Sequence, residues 1–127
     1  MPLPRVWVNG ALVDGRGATI APLDHGLVVG DGVFEATKIL DGVPFALTRH
    51  HDRMSRSLAG LGLPAADRAR FADGIRAVLE AGPPIAFGKL RWWVTGGVGP
   101  LGSDRAGTGA PGDPTYVVAA EAIDPPP

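Results

Sequence analysis

Two dipeptides constrain the fold of this chain more than any other feature: Asn9-Gly10 and Asp41-Gly42, each set between short strand-forming runs. Residues of these types accept positive φ, which a tight hairpin turn needs and most side chains resist. Arg5 to Val8 and Ala11 to Val13 flank the first pair. Val33 to Leu40 and Val43 to Leu47 flank the second. The chain therefore reads as two hairpins, with a further short strand at Ala18-Thr19-Ile20. Between them, residues 21–32 hold Pro22, Gly26, Gly30 and Gly32 and read as a loop with an apolar middle, Leu27-Val28-Val29. Alternation along 33–40 puts Phe34, Ala36, Lys38 and Leu40 on one face and Val33, Glu35, Thr37 and Ile39 on the other. Neither set is purely apolar, so one face meets a core and the other a polar cleft.

The period then changes. Met54, Leu58 and Leu61 recur at helical spacing, with Thr48 as the expected N-cap and Gly60, Gly62 and Pro64 as the stop. A second helix is expected from Ala65 to Ala81, burying Phe71, Ile75, Val78 and Leu79 and ending at Gly82-Pro83-Pro84. Gly88 to Thr95 alternates as a strand, with Leu90, Trp92 and Val94 opposite Arg91, Trp93 and Thr95. Residues 96–113 read as a Gly-rich loop, and Thr115 to Ile123 as a buried strand. Strand hairpins, two helices, then two strands predict an α+β fold: a mostly antiparallel sheet with both helices on one face.

Length and composition narrow the classes. The chain's 127 residues suit one domain. It has no cysteine, which excludes disulfides, thiolate zinc sites and thiol nucleophiles. A net charge of −1 gives no long-range pull toward nucleic acid or anionic lipid. Met1 to Arg5 lacks the pattern of a signal peptide, and no apolar run is long enough for a membrane helix, so a cytoplasmic protein is expected. Arginine outnumbers lysine ten to two, and the lysines are Lys38 and Lys89.

Several chemistries fail on spacing. Gly82 to Lys89 has the wrong spacing for a phosphate loop, and Leu90 stands where Ser or Thr is required. His50-His51-Asp52 cannot share one ion, because consecutive helical residues point about 100° apart; no metal site is expected. Ser103 lies outside any G-x-S-x-G elbow. Asp31 and Glu35 straddle a loop-to-strand junction, where Asp31 can simply stabilise a turn. Arg53, one position before Met54, can pair with a carboxylate or clamp a phosphate.

Four elements occur in order: Asp24-His25-Gly26, then Gly30-Asp31-Gly32-Val33-Phe34-Glu35, then Asp41-Gly42-Val43-Pro44-Phe45, then His50-x-x-Arg53. Together they resemble the N-terminal half of the class IV aminotransferases, the fold type IV pyridoxal-phosphate enzymes. That family includes branched-chain aminotransferases, D-amino acid aminotransferases and 4-amino-4-deoxychorismate lyases. The resemblance implies a small N-terminal domain over residues 1–123, with 124–127 opening an interdomain linker; three prolines make a stiff run. It implies pyridoxal 5'-phosphate as cofactor, with Arg53 on its phosphate. It places Phe34, Ala36, Lys38 and Arg105 along the substrate cleft, and a homodimer acting on a small amino compound. The Schiff-base lysine would lie in a large domain outside this chain, which leaves no catalytic residue here and an inactive fragment.

Members that trap a substrate carboxylate often carry arginine where this chain has Leu101, which argues against a D-amino acid aminotransferase. The run from Gly96 to Arg105 is more similar to aminodeoxychorismate lyases, which release pyruvate and form 4-aminobenzoate in folate synthesis. A branched-chain or other class IV aminotransferase is the alternative. A non-enzymatic binding or dimerisation module of the same fold is the second. A domain that normally docks on another should also expose an apolar patch, here Phe34 and Leu27-Val28-Val29.

Overall fold

The computed structural model describes residues 4–17, 20–103 and 114–125. Among these residues six strands form one antiparallel sheet: β1 (Arg5–Val8), β2 (Ala11–Val13), β3 (Gly32–Leu40), β4 (Val43–Pro44), β5 (Phe87–Thr95) and β6 (Tyr116–Ala122). Their spatial order is β2-β1-β6-β5-β3-β4. The two hairpins thus stand at opposite edges, and the last strand in sequence closes the gap between them. Three helices accompany the sheet among the described residues: α1 (His25–Val28), α2 (Leu47–Leu61) and α3 (Arg68–Glu80).

Both hairpin turns form as the dipeptides require. Asn9 and Gly10 have φ of 46° and 107°, and Asp41 and Gly42 have 50° and 77°. The second hairpin is shorter than its sequence implies. Only Val43 and Pro44 pair with β3, at Leu40 and Ile39. Ala46 then takes φ 55°, ψ 41°, and α2 starts at once. Ala46, not Thr48, is therefore the N-cap, and no side chain caps that helix end. The ladder ends so close to the helix, with Phe45 N still donating to Lys38 O, that no residue is left over to act as a side-chain cap. The loop expected over 21–32 contains the single turn α1, capped by the Asp24 carboxylate on Gly26 N. Residues 18–19 of the further strand lie outside the described residues, as do 104–113 of the Gly-rich loop.

α2 and α3 lie on one face and enclose the core. Ile39, Leu90, Trp92, Val94, Val118 and Trp7 point from the sheet into it. Met54 and Leu58 meet them from α2, and Phe71, Ile75 and Val78 from α3. Leu61, the third member of the expected α2 stripe, is 44% exposed, and Leu63 beyond the helix end is buried instead. Gly62 turns the chain in the left-handed conformation, so the stripe is completed from outside the helix. α3 begins at Arg68, later than expected, because Asp67 caps it with bonds from Ala69 N and Arg70 N. Gly74 lets α3 approach closely: a Cβ there would lie 2.6 Å from Trp7 Cε3. Arg5 donates to the carbonyls of Val78 and Leu79, so β1 caps the C-terminal turn of α3.

Neither α2 nor α3 covers the other face of the sheet, and the single turn α1 lies at the rim of that face. Phe34 is 55% exposed there, and Leu27, at its rim, 70%. Val29 is exposed and Val28 half-buried, so none of the four residues of the expected apolar patch is fully buried.

Candidate functional site

The sequence elements singled out above build two connected structures. The first is a knot of loops. Asp24 and His25 are fully buried. The Asp24 carboxylate accepts from Gly26 N and from Thr115 Oγ1. His25 N donates to Gly97 O at 2.8 Å, and its ring Nε2 donates to Pro100 O at 2.8 Å. Its Nδ1 lies 3.3 Å from Asp31 Oδ2. Gly96 N donates to Asp31 O, and Gly99 N to Leu23 O. The D-H-G and G-D-G elements therefore fix the loop 96–100 where β5 ends and β3 begins. A short polar side chain or a glycine at each point lets three backbone segments meet without stranding a buried polar group.

The second structure is a charged cluster on the helix side of β3. Glu35, nearly fully buried, accepts from His50 Nδ1 at 2.7 Å and from Arg53 Nη2 at 2.7 Å and Nε at 3.0 Å. His50 and Arg53 lie on successive turns of α2, so the H-x-x-R spacing puts both over one carboxylate. Arg53 sits on α2 beside the core stripe, as its position relative to Met54 requires. It is 60% exposed, and its Nη1 makes no hydrogen bond to any described residue. Glu35 thus holds the guanidinium in place while one edge stays open to an anion. Pairing with a carboxylate and contacting a phosphate, weighed as rivals in the sequence, are compatible in this geometry.

Two protonation equilibria follow. Burial alone raises the Glu35 pKa, but the hydrogen bonds from Arg53 and His50 outweigh it and bring it below the ordinary 4.5. Burial, reinforced by the Arg68 charge, lowers the His51 pKa from 6.5. His51 packs against Trp92 and Phe71 rather than against an acid. In both cases the unfolded chain takes up its proton at higher pH than the folded one, so acidification favours unfolding. Stability should fall from about pH 6.5 downward as His51 contributes, and again below about pH 4.5 as Glu35 is protonated. Urea midpoints measured from about pH 7.5 to about pH 3.5 test this. A midpoint that stays flat or rises on acidification contradicts it.

The bare face holds the remaining candidates. Phe34, Ala36 and Lys38 project from β3, as alternation requires. Arg105 lies outside the described residues. The structure adds neighbours that the sequence did not assign to this cleft. β5 pairs with β3 in the register Phe34↔Trp93, Ala36↔Arg91 and Lys38↔Lys89. Trp93, Arg91 and Lys89 therefore share the face with Phe34, Ala36 and Lys38. Strand parity separated Arg91 and Trp93 from the buried set, but only the β3–β5 pairing, invisible locally, brings them to Phe34. A cleft of about 590 Å³ spans Ala36, Lys38, Lys89, Arg91 and Trp93, and a second of about 620 Å³ runs from Phe34 and Arg91 to Asp24 and Gly26. No helix among the described residues is long and apolar enough to cross a membrane.

Comparison with known proteins agrees with this architecture. Residues 32–127 match the family described as amino-transferase class IV. A putative branched-chain-amino-acid aminotransferase of Methanocaldococcus jannaschii is 35% identical over 108 residues, 84% of this chain and 37% of that protein. Aminodeoxychorismate lyase of Bacillus subtilis is 39% identical over 56 residues, 44% of this chain and 19% of that protein. The crystal structure of 4-amino-4-deoxychorismate lyase from Pseudomonas aeruginosa superposes with a TM-score of 0.75 at 25% identity, over 96% of this chain and 41% of that one. The chain therefore spans well under half the length of each of these proteins.

Proposed function

Because this chain belongs to the class IV amino-transferase family, we propose that it is the small N-terminal domain of a pyridoxal-phosphate enzyme acting on a small amino compound. The observation that carries this reading is the Glu35–Arg53 pair, which presents an oriented, partly open guanidinium at the edge of the domain. Arg53 would hold the cofactor phosphate, a contact for which its planar fork is suited. The cofactor, when bound, supplies an electron sink for the amino compound. Residues 1–123 form the domain and 124–127 begin the linker. The lysine that binds the cofactor lies outside this chain, and Lys38 and Lys89 serve the cleft instead. A homodimer in the cytoplasm follows from the same resemblance.

The finer reading is 4-amino-4-deoxychorismate lyase, a step of folate synthesis. The run Gly96 to Arg105 supports it, as does the likeness to the Pseudomonas aeruginosa lyase over nearly the whole chain. The match to the Methanocaldococcus jannaschii protein favours a branched-chain aminotransferase as the second reading. A direct assay on the full-length protein separates them. The lyase releases pyruvate and 4-aminobenzoate without a 2-oxo acid acceptor, whereas the aminotransferase needs one.

The cofactor reading has its own test. Arg53→Lys keeps the charge and loses the fork, so cofactor affinity should fall severalfold. Arg53→Ala should weaken it further. Cofactor dissociation followed by absorbance in the full-length protein measures both. Unchanged affinity in folded Arg53→Ala would reduce Arg53 to the partner of Glu35 alone.

A further inference from the structure

Arg49, Arg53 and Arg56 recur along α2 at intervals of four and three residues, which sets them on one stripe of the helix. Met54 and Leu58 define its buried side. At about 100° per residue, Arg49 and Arg56 lie about 40° and about 60° around the axis from Arg53, both on the side away from the core. Along the axis they stand about 6 Å and about 4.5 Å from it. All three residues are exposed, but their surroundings differ. Arg53 is paired with Glu35. Burial raises the Glu35 pKa, yet the bonds from Arg53 and His50 bring it below 4.5, so the carboxylate is ionised at neutral pH. The Arg53–Glu35 pair therefore carries little net charge and draws a distant anion weakly. Arg49 and Arg56 form no ion pair with a described residue. Asp52, the one acid in the sequence of α2, is taken by Arg68 at 2.7 Å. Two uncompensated positive charges thus flank a charge-paired arginine. A chain with a net charge of −1 has no general excess of cations to place them there.

We propose that Arg49 and Arg56 steer a phosphate monoester dianion onto Arg53 without holding it once it is bound. The inference rests on reading Arg53 as the contact for the cofactor phosphate and goes beyond it by separating capture from retention. Screening leaves attraction intact over about 8 Å at physiological ionic strength and over about 30 Å at about 0.01 M. The two flanking charges lie within that reach of an anion approaching Arg53, and a dianion feels each of them twice over. Charges beside a contact act mainly on the association rate, whereas a hydrogen-bonded charge contact acts mainly on dissociation. Arg53 then takes the phosphate with its fork, which Glu35 keeps aligned. The simpler alternative is a solvated face with no part in binding, and it predicts no change in any association rate.

The test uses the full-length protein freed of cofactor, with pyridoxine 5'-phosphate as probe. That compound carries the phosphate but no aldehyde, so no imine forms and the signal reports binding alone. Unphosphorylated pyridoxine is the control. Rapid mixing followed by tryptophan emission gives association and dissociation rates at low and at physiological ionic strength. With Arg49→Gln and Arg56→Gln combined, association of the phosphate should slow roughly tenfold at low salt, the lower end of electrostatic steering. Its salt dependence should flatten, and its dissociation rate should stay unchanged. Arg49→Lys with Arg56→Lys keeps both charges without the forks and should restore fast association. Arg53→Ala should instead speed dissociation. Pyridoxine should associate at one rate in the parent and in the glutamine variant. Glutamine is a good helix former at exposed positions, and circular dichroism verifies that α2 is kept. Unchanged association in the glutamine variant would overturn the proposal. So would faster dissociation there, which would make the two arginines contacts, failure of the lysine variant to restore the rate, or an equal loss for pyridoxine. If Arg53→Ala alters neither rate, the cofactor reading of Arg53 fails in its own right. If it speeds dissociation while the glutamine variant binds as fast as the parent, the steering alone fails.

Discussion

Replacing Trp92 by alanine should lower the unfolding free energy by about 3–5 kcal/mol, whereas the same change at Trp93 should cost less than about 1 kcal/mol. The two residues are neighbours in sequence and alike in chemistry. They differ in the face of β5 they occupy. Trp92 is fully buried between the sheet and the helices, among Leu90, Val94 and Leu58 in one core, with His51 at 5.4 Å and His50 at 5.8 Å from its ring. Trp93 is half-exposed on the bare face beside Arg91. Domains of this size hold only about 5–15 kcal/mol in total, so Trp92→Ala should leave the chain close to unfolding. Trp92→Phe should be much milder. The Trp92 Nε1 has no hydrogen-bond partner among the described residues, and phenylalanine removes that unmet donor along with some volume. Urea unfolding followed by far-ultraviolet circular dichroism gives all three values without relying on tryptophan emission. Equal losses at Trp92 and Trp93 would mean that both sheet faces are covered alike.

The second large effect is expected at Glu35. Glu35→Ala should cost about 2–4 kcal/mol, because three charge-assisted hydrogen bonds are lost and a small cavity is left beneath α2. Glu35→Gln should cost less, since the amide oxygen can still accept from one donor. It should also remove the lower of the two acid transitions, leaving the one due to His51. Combining each with Arg53→Ala forms a double-mutant cycle. Arg53 is mostly solvated, so water screens part of its attraction and discounts the pair. The variants should nevertheless be non-additive. Strict additivity would show that Glu35 is held by His50 alone.

Local chemistry explains why some of this architecture was legible in sequence. Asn9-Gly10 and Asp41-Gly42 carry their φ requirement in their own side chains, so both turns fall where expected. Helical spacing found Met54 and Leu58, and alternation placed Trp92 and Trp93 on opposite faces. What failed depended on distant neighbours. Thr48 is a good N-cap by type, but the ladder to Lys38 holds Phe45 and leaves Ala46 to make the turn. Leu61 fits the stripe by spacing, but Gly62 ends the helix and Leu63 takes the buried place. In the candidate site, the resemblance gave Arg53 and the Phe34 face. Glu35 as the partner of Arg53 and His50 could not be read, because it needs the crossing of α2 over β3. The same holds for Lys89, Arg91 and Trp93, whose place beside Phe34 is set by pairing across some fifty residues of intervening chain.

The strand order has a consequence for how the chain assembles. β1 meets the rest of the sheet through β6, with Arg5 beside Ala120 and Val8 beside Val117. During synthesis the first hairpin therefore emerges long before its partner exists. β3, β4, α2 and β5 can associate as soon as β5 is made, since β3 pairs with β5 directly. The N-terminal hairpin must wait, with Trp7 lacking its pocket against Gly74 until α3 is laid onto the completed sheet. Closing so long a loop is slow compared with forming a hairpin. Folding should thus end with capture of the first-made segment by the last-made strand, and a ribosome stalled before Tyr116 would hold a chain whose N-terminal edge is still unpaired.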